Sequence, residues 1–211
     1  MSENISYFNE VRRKLVHLSS LWMPTVMLVF AAYRWYLAAF FVALLVGNLL
    51  VEHAYASGKY PAVNKLYDRF FGGMLRFEVK PGMWVISGGP YVFASAALSL
   101  ILFVPWIAAC GMVSMLLGDT AAALIGRRFG RHKTVNGKSF EGVFAFVFAA
   151  AIGIFIVKTI IGVQGIPVWG ILLAAVAGSL VELFEKQLKA DDNFSIPVAV
   201  GFVLVLLQKF C

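Results

Sequence analysis

Charge is what this sequence has least of. Only 14% of its 211 residues are Asp, Glu, Lys or Arg, where a soluble domain carries about a quarter. Hydrophobic residues make up 61%, and the mean hydropathy is +0.83. That balance excludes an ordinary soluble domain and indicates an integral membrane protein. Cysteine is nearly absent too. Cys110 and Cys211 have no metal-ligand spacing and form no disulfide framework. Acidic residues are fewer than basic ones, 11 against 18, for a net charge of +7. In a membrane chain this excess reflects inside-positive bias and binding of phosphates or anionic headgroups, so no nucleic-acid partner is expected. No stretch alternates with period two over a useful length, which excludes a β-barrel. The N-terminal run MSENISYFNEVRRK carries no cleavage signal, so no removable signal peptide is expected.

What is abundant is apolar sequence, in seven segments: Leu18 to Ala32, Tyr36 to Val51, Met83 to Val104, Trp106 to Ile125, Val143 to Ile161, Val168 to Phe184 and Ile196 to Leu207. A helix needs ~20 residues to cross ~30 Å of hydrocarbon. The shorter segments must borrow polar flanks to do so. A backbone in lipid must satisfy its own hydrogen bonds, so these segments are helices. The expectation is an all-α, multi-pass integral membrane protein of about seven transmembrane helices, with residues 1–211 forming one membrane-embedded catalytic domain. Seven crossings put every Lys and Arg except Arg34, Lys158 and Lys209 on one side. That asymmetry places the N-terminus in the cytoplasm. Between the second and third segments, Tyr60 to Lys80 mixes Tyr67, Phe70, Phe71 and Phe77 with Lys65, Arg69 and Arg76. It reads as an interfacial amphipathic helix, broken at Gly72-Gly73, or as a membrane-hugging linker.

The polar residues cluster on the cytoplasmic side. Asp119 lies near the end of the fourth segment, where an ionised carboxylate needs a cation or metal. Ala122 and Gly126 share its face and allow close packing. Gly130 and Gly137 bracket a basic loop, and Arg127, Arg128, Arg131, Lys133 and Lys138 in and around it are a set able to grip a polyphosphate. Gly137-Lys138-Ser139 is not a P-loop, because His132 stands where that motif needs Gly and a membrane helix precedes it. Ser139 is placed to cap the next helix, whose free amides suit an anion. Glu141 in its first turn suits the helix dipole or a metal. Near the N-terminus, Glu10, Arg13, Lys14 and His17 share one helical face. Glu182 is a further intramembrane carboxylate, followed by Asp191-Asp192-Asn193. Asp119, Glu141, Glu182 and Asp192 together offer oxygen ligands for Mg2+. Glu52 and His53 end the second segment, and the sequence assigns them no role.

The run Gly118-Asp119-(x)2-Ala122-(x)3-Gly126-Arg127-(x)2-Gly130, with Lys138-Ser139-(x)-Glu141-Gly142, resembles the signature of CTP-dependent lipid kinases: dolichol kinase, phytol kinase and the yeast-type diacylglycerol kinase. The resemblance extends to Glu10-(x)2-Arg13-Lys14-(x)2-His17 and to Glu182 with Asp192-Asn193-(x)3-Pro197. It implies phosphoryl transfer from CTP, with Mg2+, to a membrane lipid alcohol at the cytoplasmic face, an isoprenoid alcohol before diacylglycerol. Asp119 would hold the Mg-nucleotide, with Glu141 as a further metal contact. Arg13, Lys14, Arg127, Arg128, Lys133, Lys138 and Ser139 would bind the phosphates. Asp192 and Asn193 would form the rim, with Glu182, Asp192 and His17 as candidates for the base. The related phosphatidate cytidylyltransferases carry a Gly-rich C-terminal signature that Lys189 to Pro197 lacks. A small ion-coupled transporter is the non-enzymatic alternative. The sequence leaves a homodimer open.

Overall fold

A computed structural model describes residues 7–71 and 86–210. Among these the fold is helical, with one isolated antiparallel bridge between Lys133 and Ser139. The helices are α1 (Tyr7–Ser19), α2 (Trp22–Val29), α3 (Arg34–Ser57), α4 (Pro61–Phe71), α5 (Gly88–Leu102), α6 (Pro105–Phe129), α7 (Phe140–Ile161), α8 (Val168–Leu183), α9 (Glu185–Leu188) and α10 (Asp192–Phe210).

Four stretches are long and apolar enough to cross a membrane by length and composition: Ala31–Ser57, Pro105–Phe129, Phe140–Ile161 and Asp192–Phe210. They carry the second, fourth, fifth and seventh expected segments. The third and sixth become the shorter apolar helices α5 and α8, of 15 and 16 residues. The first segment is not one helix. Ser20 and Leu21 donate to the carbonyls three residues back, His17 and Leu18, which tightens the chain between α1 and the eight-residue α2. The helix α4 falls inside the expected amphipathic stretch, and Tyr67 stacks on Tyr55 of α3 at 4.2 Å. The Gly72-Gly73 break lies outside the described residues.

The helix α6 is the hub and packs against α1, α2, α5, α7, α8 and α10. Small residues make this possible, because helices in lipid associate by close approach. A Cβ at Gly111 would lie 2.6 Å from the Pro197 carbonyl oxygen, so only Gly lets α10 cross there. The large apolar side chains Phe144, Phe148 and Phe155 of α7 and Trp169 of α8 stay exposed. This inverted surface suits lipid and leaves polar groups inside.

Candidate active site

The polar residues meet at one end of the bundle, where α3, α6 and α8 end and α5 and α10 begin. α1 lies across that end. Its residues Glu10, Arg13, Lys14 and His17, spaced for one face, turn inward onto α6. Lys14 is 1% exposed and donates to Asp119 Oδ2. His17 Nε2 lies 3.4 Å from the same oxygen, at ion-pair distance but without hydrogen-bond geometry. Burial pushes the His17 pKa down to about 4, against the pull of Asp119, so the ring is neutral at physiological pH. Nε2 is buried and makes no hydrogen bond among the described residues. Arg13 grips Glu10 with two bonds, 2.6 and 3.2 Å, and Arg127 Nη1 lies 3.7 Å from the same carboxylate. Burial raises the Glu10 pKa, but Arg13, Lys14 and Arg127 outweigh it and hold the group below its ordinary range. Arg13 also lies within electrostatic range of Asp119 and Asp192.

The loop from Gly130 to Ser139 folds back over this end. Asn136 takes a left-handed turn (φ 62°) and donates to the Leu183 carbonyl at 2.9 Å and to Gln187 Oε1 at 2.7 Å. Lys138 Nζ donates to the Glu182 carbonyl and to Glu182 Oε1 at 2.7 Å, and lies 3.3 Å from Glu185 Oε2. Two of its three donors are thereby engaged, and the third contact is an ion pair. Burial lowers the Lys138 pKa, but Glu182, Glu185 and Asp192 outweigh it and raise the value. Ser139 caps α7 by accepting from Gly142 N at 3.2 Å. A Cβ on Gly130 would lie 2.1 Å from the Gly126 oxygen and 2.5 Å from Ser139 Oγ. Gly126, Gly130 and Gly142 therefore form the seat of this cap. Glu141 turns outward to His132, with Nδ1 to Oε1 at 2.8 Å. Arg128 lies over the Phe129 ring at 5.5 Å, and Lys133 is exposed.

Asn193 is buried, and its N–H and side chain both donate to Asp191 Oδ1, at 3.0 and 2.9 Å. Asp192 lies within electrostatic range of Asp119 and Lys14. The structure thus brings together Arg13, Lys14, His17, Asp119, Lys138, Glu182 and Asp192, with Asn193 at the edge. It sets Glu141, Arg128 and Lys133 on the loop side. Among the described residues no three His, Cys, Asp or Glu side chains form a ready metal cage. That donor set fits Mg2+ held by one or two carboxylates and completed by substrate phosphates, the usual manner for this ion. Asp119 and Asp192 are the two carboxylates there that lie within electrostatic range of each other.

The arrangement can be set beside known proteins. An uncharacterized protein of Rickettsia prowazekii is 27% identical over 191 residues, 90% of either chain. Dolichol kinase of Schizosaccharomyces pombe is 27% identical over 99 residues, 46% of this chain and 18% of its own. The Glycine max protein named "Probable phytol kinase 3, chloroplastic" is 29% identical over 215 residues, 93% of this chain and 63% of its own. The chain is thus similar, at modest identity, to two proteins named as a dolichol kinase and a probable phytol kinase. It spans less than two thirds of either kinase's length. No family model and no solved structure matches it.

Beside the charged cluster lies a cavity that the sequence did not disclose. Its volume is about 520 Å3, and Arg13, His17 and Asn193 form one edge. Asn48, Glu52 and Ser87 also line it. Glu52 is 4% exposed and accepts from Ser87 N at 3.2 Å and from the Ser87 hydroxyl. The signal for Asn48 was a polar residue inside an apolar run, one turn before Glu52. The signal for Asn136 was the Asn-Gly turn pair.

Proposed function

We propose that this chain is a CTP-dependent kinase that phosphorylates a membrane lipid alcohol, an isoprenoid alcohol before diacylglycerol. The observation that carries the reading is the Asp119 carboxylate, buried against Lys14 and His17 and bordered by cations on α1, α6 and the following loop. Such a site matches the demands of phosphoryl transfer, which needs positioning and charge stabilisation more than covalent help. Asp119 and Asp192 would hold Mg2+, which supplies charge neutralisation on the phosphates when bound. Arg127, Arg128 and Lys133 grip the outer phosphates. Lys138 joins them by exchanging its 3.3 Å contact with Glu185 for a phosphate oxygen. The alcohol oxygen forms its bond to the γ-phosphorus as the bond from that phosphorus to the bridging oxygen breaks. CDP leaves with the electron pair, and the hydroxyl proton passes to His17 Nε2, the neutral acceptor at the site.

The same reading gives the protein its topology: seven crossings, an N-terminus and active site in the cytoplasm, and α4 along the headgroups. The polar residues collect at one end rather than at a midplane, which favours the enzyme over a carrier. The test is transfer of label from γ-labelled CTP by the detergent-purified protein, offered phytol, a polyprenol, diacylglycerol and phosphatidate. A labelled lipid phosphate with CDP release is expected. Pyrophosphate release with phosphatidate, and no labelled alcohol, would move the protein to the cytidylyltransferases. ATP in place of CTP tests the donor.

A further inference from the structure

The nucleotide reading leaves the cavity without a use. Its volume of about 520 Å3 falls within the ~300–1,000 Å3 of small-molecule sites. Its wall is divided. Leu44, Val51, Met23, Val92 and Phe93 make an apolar part, and Arg13, His17 and Asn193 open it onto the charged cluster. Between these, α3 presents Asn48 and Glu52, four residues apart and so on one helical face.

These polar groups have one thing in common. Asn48 Oδ1 and His17 Nε2 are buried and make no hydrogen bond among the described residues. Glu52 takes two hydrogen bonds from Ser87, and a carboxylate has room for about four. All three can accept a hydrogen bond, and buried acceptors left without donors are costly. What suits these acceptors is a donor attached to something apolar, in a wall that Arg13, Ser20 and Tyr67 also line. A lipid phosphate answers poorly, since its anionic oxygens donate nothing and would face Glu52. An alcohol answers well, because its hydroxyl donates while its tail follows the apolar wall.

We infer that this cavity is the acceptor chamber, in which Asn48 and Glu52 hold the hydroxyl of a lipid alcohol beside His17 while the tail runs between α2, α3 and α5. The inference rests on the kinase reading for its substrate class but assigns residues which that reading does not use. Glu52 and Asn48 are binding residues in it.

Gly47 provides a clean test. It lines the cavity, and a Cβ there meets nothing within 4 Å, so Gly47→Leu starts into open space and narrows the cavity. Gly47→Leu and Glu52→Gln are each expected to raise the KM for the lipid alcohol roughly tenfold and to leave the KM for CTP unchanged. A second readout needs no turnover. Phytol carrying a diazirine on its tail is irradiated with the protein in nanodiscs, without nucleotide, and the labelled peptides are mapped. Label is expected on residues 43–52 and 88–93, and lost in Gly47→Leu. Wild-type lipid KM in both variants, or label confined to the outward face of α7, overturns the chamber and leaves the kinase standing. Chamber labelling without phosphoryl transfer from CTP would uphold the chamber and retire the CTP-kinase reading instead.

Discussion

Lys14 and Asp119 are 105 positions apart and nearly sealed from solvent, so each is the reason the other can stay charged. Removing one member of such a pair costs ~3–5 kcal/mol, because the survivor is left as an uncompensated buried charge. Asp119→Asn is therefore expected to lose both turnover and thermal stability in detergent. The double variant Lys14→Met/Asp119→Leu should regain most of the stability, since an apolar pair of similar volume fills the same space. It should regain no label transfer. A double variant that melts as low as the single one would refute this account of the pair. Glu10 gives a pH signature. Its folded pKa lies below the ordinary value of 4.5, so the unfolded chain binds more protons as pH falls through that region. The stabilisation is complete above pH 4.5 and is lost on acidification below it. Melting temperatures between pH 5 and 3 should fall more steeply for the wild type than for Glu10→Gln. The charges themselves were legible in the sequence as intramembrane polar residues that demand partners. The partner of Asp119 was not, because spacing shows which face a residue occupies but not what a distant helix brings to it.

At the scale of the element, composition located α3, α6, α7 and α10, since a long apolar run permits little but a helix. The break between α1 and α2 was hidden. No Gly or Pro stands at Ser20-Leu21, and the interruption arises from the tightened turn that lets α1 lie across the end of the bundle while α2 packs on α6. The glycines of the signature were legible as small, but their use was not. Gly126, Gly130 and Gly142 seat the Ser139 cap, so the motif builds the α6–α7 joint before it can meet any ligand. Two substitutions separate packing from chemistry here. Ser139→Ala removes the cap and should cost ~1 kcal/mol. Gly111→Leu forces a side chain against the Pro197 backbone, which cannot rotate away, and should cost ~1–3 kcal/mol or more. Both are read as shifts in detergent unfolding. A Gly111→Leu protein as stable as the wild type would mean that α6 and α10 do not cross so closely.

Over the whole molecule, charge distribution and helix ends can be read together. On the proposed seven-span topology, all but three of the 18 Lys and Arg face the cytoplasm, as inside-positive bias requires. Two of the three exceptions have local uses. Arg34 donates to the Leu100 and Ile101 carbonyls, among the last turn of α5, and Lys158 donates to the Ile166 carbonyl at 2.6 Å. Arg34 is held by carbonyls at the C-terminal end of α5, and Lys158, in the last turn of α7, by the dipole of its own helix and a loop carbonyl, whichever side they stand on. They do not count against the orientation. The helix α7, 22 residues long, reaches ~33 Å at ~1.5 Å per residue, long enough to set its flanks on opposite sides of the bilayer, as the proposed topology requires. That sets the decisive measurement. With Cys211→Ser as background and Cys110 buried, single cysteines at Lys65, Gln164, Lys186 and Lys209 are offered to a membrane-impermeant maleimide. In intact cells Gln164→Cys and Lys209→Cys should label, while Lys65→Cys and Lys186→Cys should label only after permeabilisation. Labelling of Lys186→Cys from outside would reverse the orientation and place the Asp119 site away from cytoplasmic nucleotide. Labelling of Gln164→Cys and Lys186→Cys on one side would deny that α8 crosses, and the seven-span count would fall with it.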